Sequence, residues 1–182
     1  MLLENGRISS VGDVGQITNE YVSINVTNAS SVVNKSGPAT LSLSTLNGNG
    51  KQTDIIASGE KVVFVLQLHV AHSVDSAAIG LGITSMTGER IVTFHTQYQY
   101  TETLRITERC TCSIEWDENF LAPDNYLFVA ALYESNQLIA SWENIGGITV
   151  VASDYFGTGR LPNTGHQGHI LARSRWRFDT DS

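Results

Sequence analysis

Acidic residues, five histidines and two cysteines are the side chains here that could do acid–base, metal or nucleophilic chemistry. Glycoside hydrolysis needs two carboxylates facing one cleft. Asp117, Glu118, Asp124, Glu134 and Glu143 fall at strand ends or turns, where a solvated acid is the default. A serine nucleophile would call for a Gly-x-Ser-x-Gly elbow, which the chain lacks. Zinc needs three or four converging ligands. Of His69, His72, His95, His166 and His169, the close pair is His166 and His169, with no third ligand indicated. Cys110 and Cys112 stand at i and i+2, which in a strand puts them on one face about 6.5–7 Å apart, poor disulfide geometry. They are expected to be reduced structural thiols. Gly48-Asn49-Gly50-Lys51 is no phosphate loop, because Gln52 stands where Ser or Thr is needed and Thr45 where the first Gly is needed. The expectation is a chain with no catalytic residue, no metal and no cofactor.

Sugar binding needs different chemistry. A sugar presents hydroxyls and flat C–H faces, so its site needs planar polar side chains and exposed rings on a rigid platform. Gln67 and His69, Gly80 and Gly82, and His95 and Gln97 lie at outward positions of three strand-like runs and are expected to share one face. The glycines would lower the floor and let a glycan approach the backbone. Tyr98, Tyr100, Tyr133 and Trp142 could supply rings; the alternative is a solvated sheet face with the aromatics in the core. Arg90 would suit an anionic cap such as a phosphate or an acidic sugar, or is equally a turn-flanking surface arginine. The residues expected to bind carbohydrate are Gln67, His69, Arg90, His95, Gln97, Tyr98, Tyr133 and Trp142.

The elements that would hold them are strands. Val62–Val70 alternates, with Val62, Phe64, Leu66, Leu68 and Val70 on one face. Ala78–Thr84 puts Ile79, Leu81 and Ile83 inward. Tyr21–Val26, Arg90–Tyr98, Cys110–Trp116, Tyr126–Tyr133, Leu138–Trp142, Ile148–Val151 and His169–Phe178 also read as strands. Turn signals separate many of them, as at Ser58-Gly59, Thr87-Gly88 and Gly146-Gly147. Asn34–Gln52 is polar and reads as a loop with at most one weak strand, Thr40–Leu46. No stretch sustains a helical period. The pattern predicts an all-β, antiparallel, immunoglobulin-like β-sandwich. It is expected to be one domain over 1–182, with about 153–182 a C-terminal arm and last strand.

With 182 residues, 41% of them hydrophobic and 16% charged, the chain can fill a core. A net charge of −7 argues against nucleic acid, which wants a basic stripe, and against an anionic membrane surface. No apolar run approaches the roughly 20 residues that span a bilayer. The first residues lack the pattern of a signal peptide, and the chain is expected to be cut from something longer.

Three stretches carry a family resemblance. The first is Gly12-Asp13-Val14-Gly15-Gln16-Ile17. The second runs from Ser58-Gly59-Glu60-Lys61 through Ile79-Gly80-Leu81-Gly82-Ile83 and Gly88-Glu89-Arg90-Ile91-Val92 to Thr96. The third joins Leu121-Ala122-Pro123-Asp124-Asn125-Tyr126, Phe156-Gly157-Thr158-Gly159-Arg160-Leu161-Pro162, Gly168 and Trp176. In this order they resemble the C-terminal domain of Wzt, the ATPase subunit of bacterial ABC transporters that export O-antigen polysaccharide. The resemblance implies a β-sandwich that binds the O-antigen polysaccharide, often at its modified non-reducing end, without catalysis. It implies a nucleotide-binding domain in the same polypeptide, a membrane transporter subunit as partner, and a cytoplasmic place at the inner face of the inner membrane. It also implies a homodimer with the C-terminal strand exchanged, in which case Leu171, Trp176 and Phe178 would fill a core. The competing reading is a structural or assembly β-sandwich dimer without glycan binding.

Overall fold

A computed structural model describes residues 2–4, 7–10, 33–162 and 168–178. The expected strand Tyr21–Val26, the motif Gly12–Ile17 and His166 lie outside the described residues. The ordered elements are β1 (Leu2–Glu4), β2 (Arg7–Ser10), β3 (Asn34–Ser36), β4 (Ala39–Asn47), β5 (Ile55–Ala57), β6 (Val62–Val70), β7 (Val74–Ser85) and β8 (Arg90–His95). They continue as α1 (Thr96–Gln99), β9 (Leu104–Ile106), β10 (Arg109–Trp116), β11 (Asp124–Glu134), β12 (Gln137–Trp142) and β13 (Gly147–Val151).

Two sheets pack face to face. Sheet I has the order β10-β6-β4-β3. Sheet II has the order β5-β13-β11-β7-β8, with β12 also paired to β11 and β9 to β7. The β1–β2 pair forms a small separate sheet. The fold is an all-β sandwich, antiparallel except where β13 runs parallel to β5. Its core lies between the sheets because both put alternate apolar residues inward. From sheet I come Leu41, Leu43, Phe64, Leu66 and Leu68, and from sheet II Leu81, Ile83, Phe128 and Leu132, all buried. Each such side chain contributes roughly 1.5–3 kcal/mol by leaving water. Phe64 meets Phe128 edge-on at 5.3 Å between ring centres and Phe94 at 5.9 Å, which ties the sheets together.

Three strand expectations need correction. The Asn34–Gln52 segment is not mainly loop, for β4 is a nine-residue strand paired on both sides, to β6 and β3. Its inward Ala39, Leu41, Leu43 and Thr45 alternate with Thr40, Ser42 and Ser44, so its outward half reads as loop composition. The run from Arg90 stops as a strand at His95 and turns into α1. The run His169–Phe178 makes one bridge, Ile170 to Leu121, and no ladder among the described residues. Leu171 is buried beside Ala122 and Tyr155, as a core residue should be. Trp176 and Phe178 instead stack on each other in the open, 77% and 80% exposed.

The Gly48–Lys51 segment is a polar turn. The Asn47 side-chain carbonyl accepts from the N–H groups of Asn49 (3.1 Å) and Lys51 (3.0 Å), and Gly50 takes a φ of +74°. No helix among the described residues is long and apolar enough to cross a membrane.

Candidate functional site

The site is built on the outer face of sheet II, starting from β7. Ile79, Leu81 and Ile83 face the core, so Gly80 and Gly82 face outward. Across from them on β11 stand Ala131 and Val129, and on β8 His95 and Thr93. Residues without bulk on a central strand make a low floor between taller neighbours.

The protein fills that floor itself. A Cβ placed on Gly80 would lie 3.1 Å from His95 Cδ2. One placed on Gly82 would lie 2.5 Å from Arg90 Cζ and 2.9 Å from its Nε. The glycines therefore let the imidazole and the guanidinium lie flat on the sheet, rather than leaving backbone open to a ligand as the sequence suggested.

Arg90 reaches this face through a bulge. Ile83 pairs with Val92, yet Thr84 pairs with Arg90, so Ile91 is the extra residue. Ile91 and Val92 both pack against the core. A bulge re-aims the side chains beyond it, and here it turns Arg90 to the face that carries Thr93 and His95. Arg90 Nη1 donates to Thr93 Oγ1 at 3.2 Å.

His95 ends the strand. Its Nδ1 accepts from the Gln97 N–H at 3.3 Å, capping α1. With Nδ1 accepting, the neutral ring carries its proton on Nε2, free to donate. The imidazole centre lies 5.2 Å from the Tyr98 ring and 5.5 Å from the Tyr133 ring. Tyr98 is 84% exposed. The Gln97 side-chain amide donates to Asn136 Oδ1 in the β11–β12 turn, fastening α1 to the neighbouring hairpin.

Five expected residues thus come together: Arg90, His95, Gln97, Tyr98 and Tyr133. Three do not. Gln67 and His69 lie on the outer face of sheet I, because β6 joins the other sheet. Trp142 is 4% exposed in the core, its Nε1–H donating to the Asn34 carbonyl at 3.0 Å, so its ring offers no stacking surface. Two contributors were missed. Thr93 shares the parity of His95 and could have been found that way. Asn136, beside Ser135 between two strands, reads in the sequence as turn chemistry alone.

Beside the face, a cleft of about 400 Å³ opens between the edges of the two sheets. Phe94, Leu104, Cys110, Cys112 and Ile114 line it, and His95 stands at its rim. Both cysteines are free thiols. Burial raises the pKa of Cys110, and burial with Cys110 beside it pushes Cys112 up to about 11.

Three of the candidate acids have partners of their own. Asp117 lies 3.2 Å from Lys61, Glu118 2.6 Å from Arg173, and Glu134 accepts from the Asp75 N–H at 2.9 Å. Among the described residues no three His, Cys, Asp or Glu side chains converge as metal ligands would.

The chain has the fold of a domain solved as the C-terminal domain of Wzt, with a TM-score of 0.64. The two are 12% identical, over 79% of this chain and 85% of that one. The CARDB domain of a Pyrococcus furiosus protein, in complex with di-metal ions, aligns at a TM-score of 0.39 with 13% identity, over 68% of this chain and 96% of that one. A β-glucuronidase from glycoside hydrolase family 2 aligns at 0.42 with 13% identity, over 61% of this chain and 11% of that one. At those scores neither bears on the site. No family model matches the chain, and no curated protein matches it in sequence.

Proposed function

We propose that this domain binds O-antigen polysaccharide without catalysis and delivers it to an ABC transporter. In this reading a nucleotide-binding domain belongs to the same polypeptide and a membrane subunit forms the pore. The domain then works in the cytoplasm at the inner membrane, holding the finished glycan, with recognition at its modified non-reducing end. The observation that carries the reading is the His95 ring seated between Tyr98 and Tyr133 on a sheet face of the Wzt-type fold. Exposed rings bind the C–H face of a sugar, while His95 Nε2 and the tyrosine hydroxyls serve its hydroxyl groups.

The test is calorimetry with O-polysaccharides from several serotypes. His95→Ala and Tyr133→Ala are each expected to weaken binding about tenfold, the range of a desolvated ring contact with its hydrogen bond. Gln67→Ala on the other face should change nothing. Equal losses for all three variants would move the site, and no binding to any glycan would leave the structural dimer module as the better reading.

We further propose a homodimer completed by the C-terminal tail. Arg175 and Arg177 alternate with Trp176 and Phe178, a strand pattern, and the two aromatic side chains are exposed on the single chain. Ending the chain after Arg173 keeps Leu171 buried and keeps the Arg173–Glu118 pair. That variant should stay folded and sediment as a monomer. A truncated dimer would remove the tail from the interface.

A further inference from the structure

We infer that Arg90, laid on Gly82 and held by Thr93, binds an anionic group carried by the glycan: a phosphate, a sulfate or a carboxylate. The inference rests on the reading of this face as a glycan site and adds the class of glycan it takes.

Three features set this arginine apart from a solvated surface cation. The first is its aim. Without the bulge at Ile91, strand parity would send Arg90 toward the core side, so the extra residue brings the charge to the ligand face. The second is its seat. The guanidinium lies over Gly82, and any side chain there would collide with it. The third is its spare capacity. A guanidinium carries five N–H donors in a planar fork. One nitrogen is engaged by Thr93, and no carboxylate forms an ion pair with Arg90 among the described residues, its chain neighbour Glu89 included. Lys61, Arg105 and Arg173 each lie within 2.9 Å of a carboxylate oxygen, whereas Lys35, Lys51 and Arg160, unpaired among the described residues, share the spare capacity without the aim or the seat.

The fork suits an oxyanion, which it can bind through two parallel N–H···O bonds. Its distance from the aromatic cluster suits a sugar. Arg90 covers Gly82 and His95 covers Gly80, two residues along one strand and so roughly 7 Å apart. One monosaccharide spans that gap, its ring against His95 and Tyr133 and its charged substituent on Arg90.

Two variants separate charge from position. Arg90→Gln removes the cation. Gly82→Ala keeps the cation but evicts it from its seat, and no left-handed backbone is required at residue 82 to forbid an alanine. Backbone amide NMR titrations of the whole domain use glucose 6-phosphate, glucose 6-sulfate and glucuronate, each against neutral glucose. The charged sugars should shift the signals of Gly82, Arg90, Thr93 and His95, and the ranking among the three identifies the anion. Arg90→Gln should weaken that binding about tenfold, the size of a lost charge-assisted hydrogen-bond pair. Gly82→Ala should weaken it less, and added salt should weaken it wherever the cation remains but not in Arg90→Gln.

Equal shifts with glucose and the charged sugars, or undiminished binding in Arg90→Gln, would overturn the inference. The outcomes also separate it from the broader reading. Polysaccharide binding that survives Arg90→Gln unchanged leaves glycan recognition standing without the anion site. Charged sugars binding at Arg90, with no polysaccharide bound by the wild type, leaves the anion site without O-antigen recognition.

Discussion

The two outer faces of this sandwich come from the same alternating pattern and end with opposite character. On sheet I the outward residues include Thr40, Ser42 and Ser44 on β4, Gln67 and His69 on β6, and Thr111 and Ser113 on β10. Several of them line a shallow trough of about 360 Å³, where Thr40, Ser42 and Thr111 stand beside Gln67, His69 and Arg109, with no Phe, Tyr or Trp among its lining residues. On sheet II two glycines sink the floor, and a histidine, an arginine and two tyrosines gather over it. Hydroxyl groups on a flat sheet are already satisfied by water and gain little from a sugar. Rings packed against one another lose little freedom when a ligand arrives, so their contact with it is kept as affinity. The difference lies in the pre-organisation of the side chains, since each face offers polar groups enough.

Trp142→Ala gives the largest expected effect and marks where the outer face of sheet II ends and the core begins. Removing a buried tryptophan costs about 3–5 kcal/mol, and it also takes the donor from the Asn34 carbonyl. Urea unfolding should show that loss, whereas Tyr98→Ala, on an exposed ring, should stay within about 0.5 kcal/mol. A Trp142→Ala protein of wild-type stability that no longer binds glycan would put this ring in the site after all.

A matched pair of valine substitutions compares the faces directly. Gly80→Val must displace His95, whose Cδ2 lies 3.1 Å from the first added carbon. It should cost about 1–3 kcal/mol as an overpacked position and abolish glycan binding. Ser42→Val sits on the trough of sheet I, where its hydroxyl makes one long contact of 3.5 Å with Gln67. It should change stability by less than about 0.5 kcal/mol and leave binding alone. Equal tolerance at both positions would mean that the glycine floor holds nothing in place.

What could be read from the sequence follows from what a strand encodes. Alternation fixes which side of its own strand a residue takes. Val62–Val70 and Ile79–Ile83 accordingly have the expected inward residues. Alternation does not say which sheet a strand joins. Gln67 and His95 have the same outward parity, and the pairing of β6 with β4 and of β8 with β7 puts them on opposite faces. A bulge also cannot be read from parity, so the route by which Arg90 gains its face was hidden. Trp142 illustrates a third limit. An aromatic in a half-buried strand suits a core and a sugar platform equally well, and only the Asn34 carbonyl waiting for its N–H decides between them. In β4 the outward serines and threonine masked a strand whose inward half was plainly apolar.

The two histidines give the smallest and sharpest comparison. His69 and His95 both stand on strands, face outward and have a carboxylate or an amide for a neighbour. The His69 side chain is half exposed, and its Nε2 lies 3.9 Å from Glu108, a distance at which a surface pair contributes little. His95 caps α1 through Nδ1 and touches two tyrosine rings. Replacing His95 by alanine frees the first turn of α1 and opens a gap between Tyr98 and Tyr133. The expected loss of stability is about 1 kcal/mol, the ordinary worth of a cap or an aromatic contact. His69→Ala should fall below about 0.5 kcal/mol. Thermal melts of the two variants, side by side, read the difference without any ligand. If the two substitutions cost the same, the aromatic cluster is a loose surface grouping, and the ligand itself would have to order it.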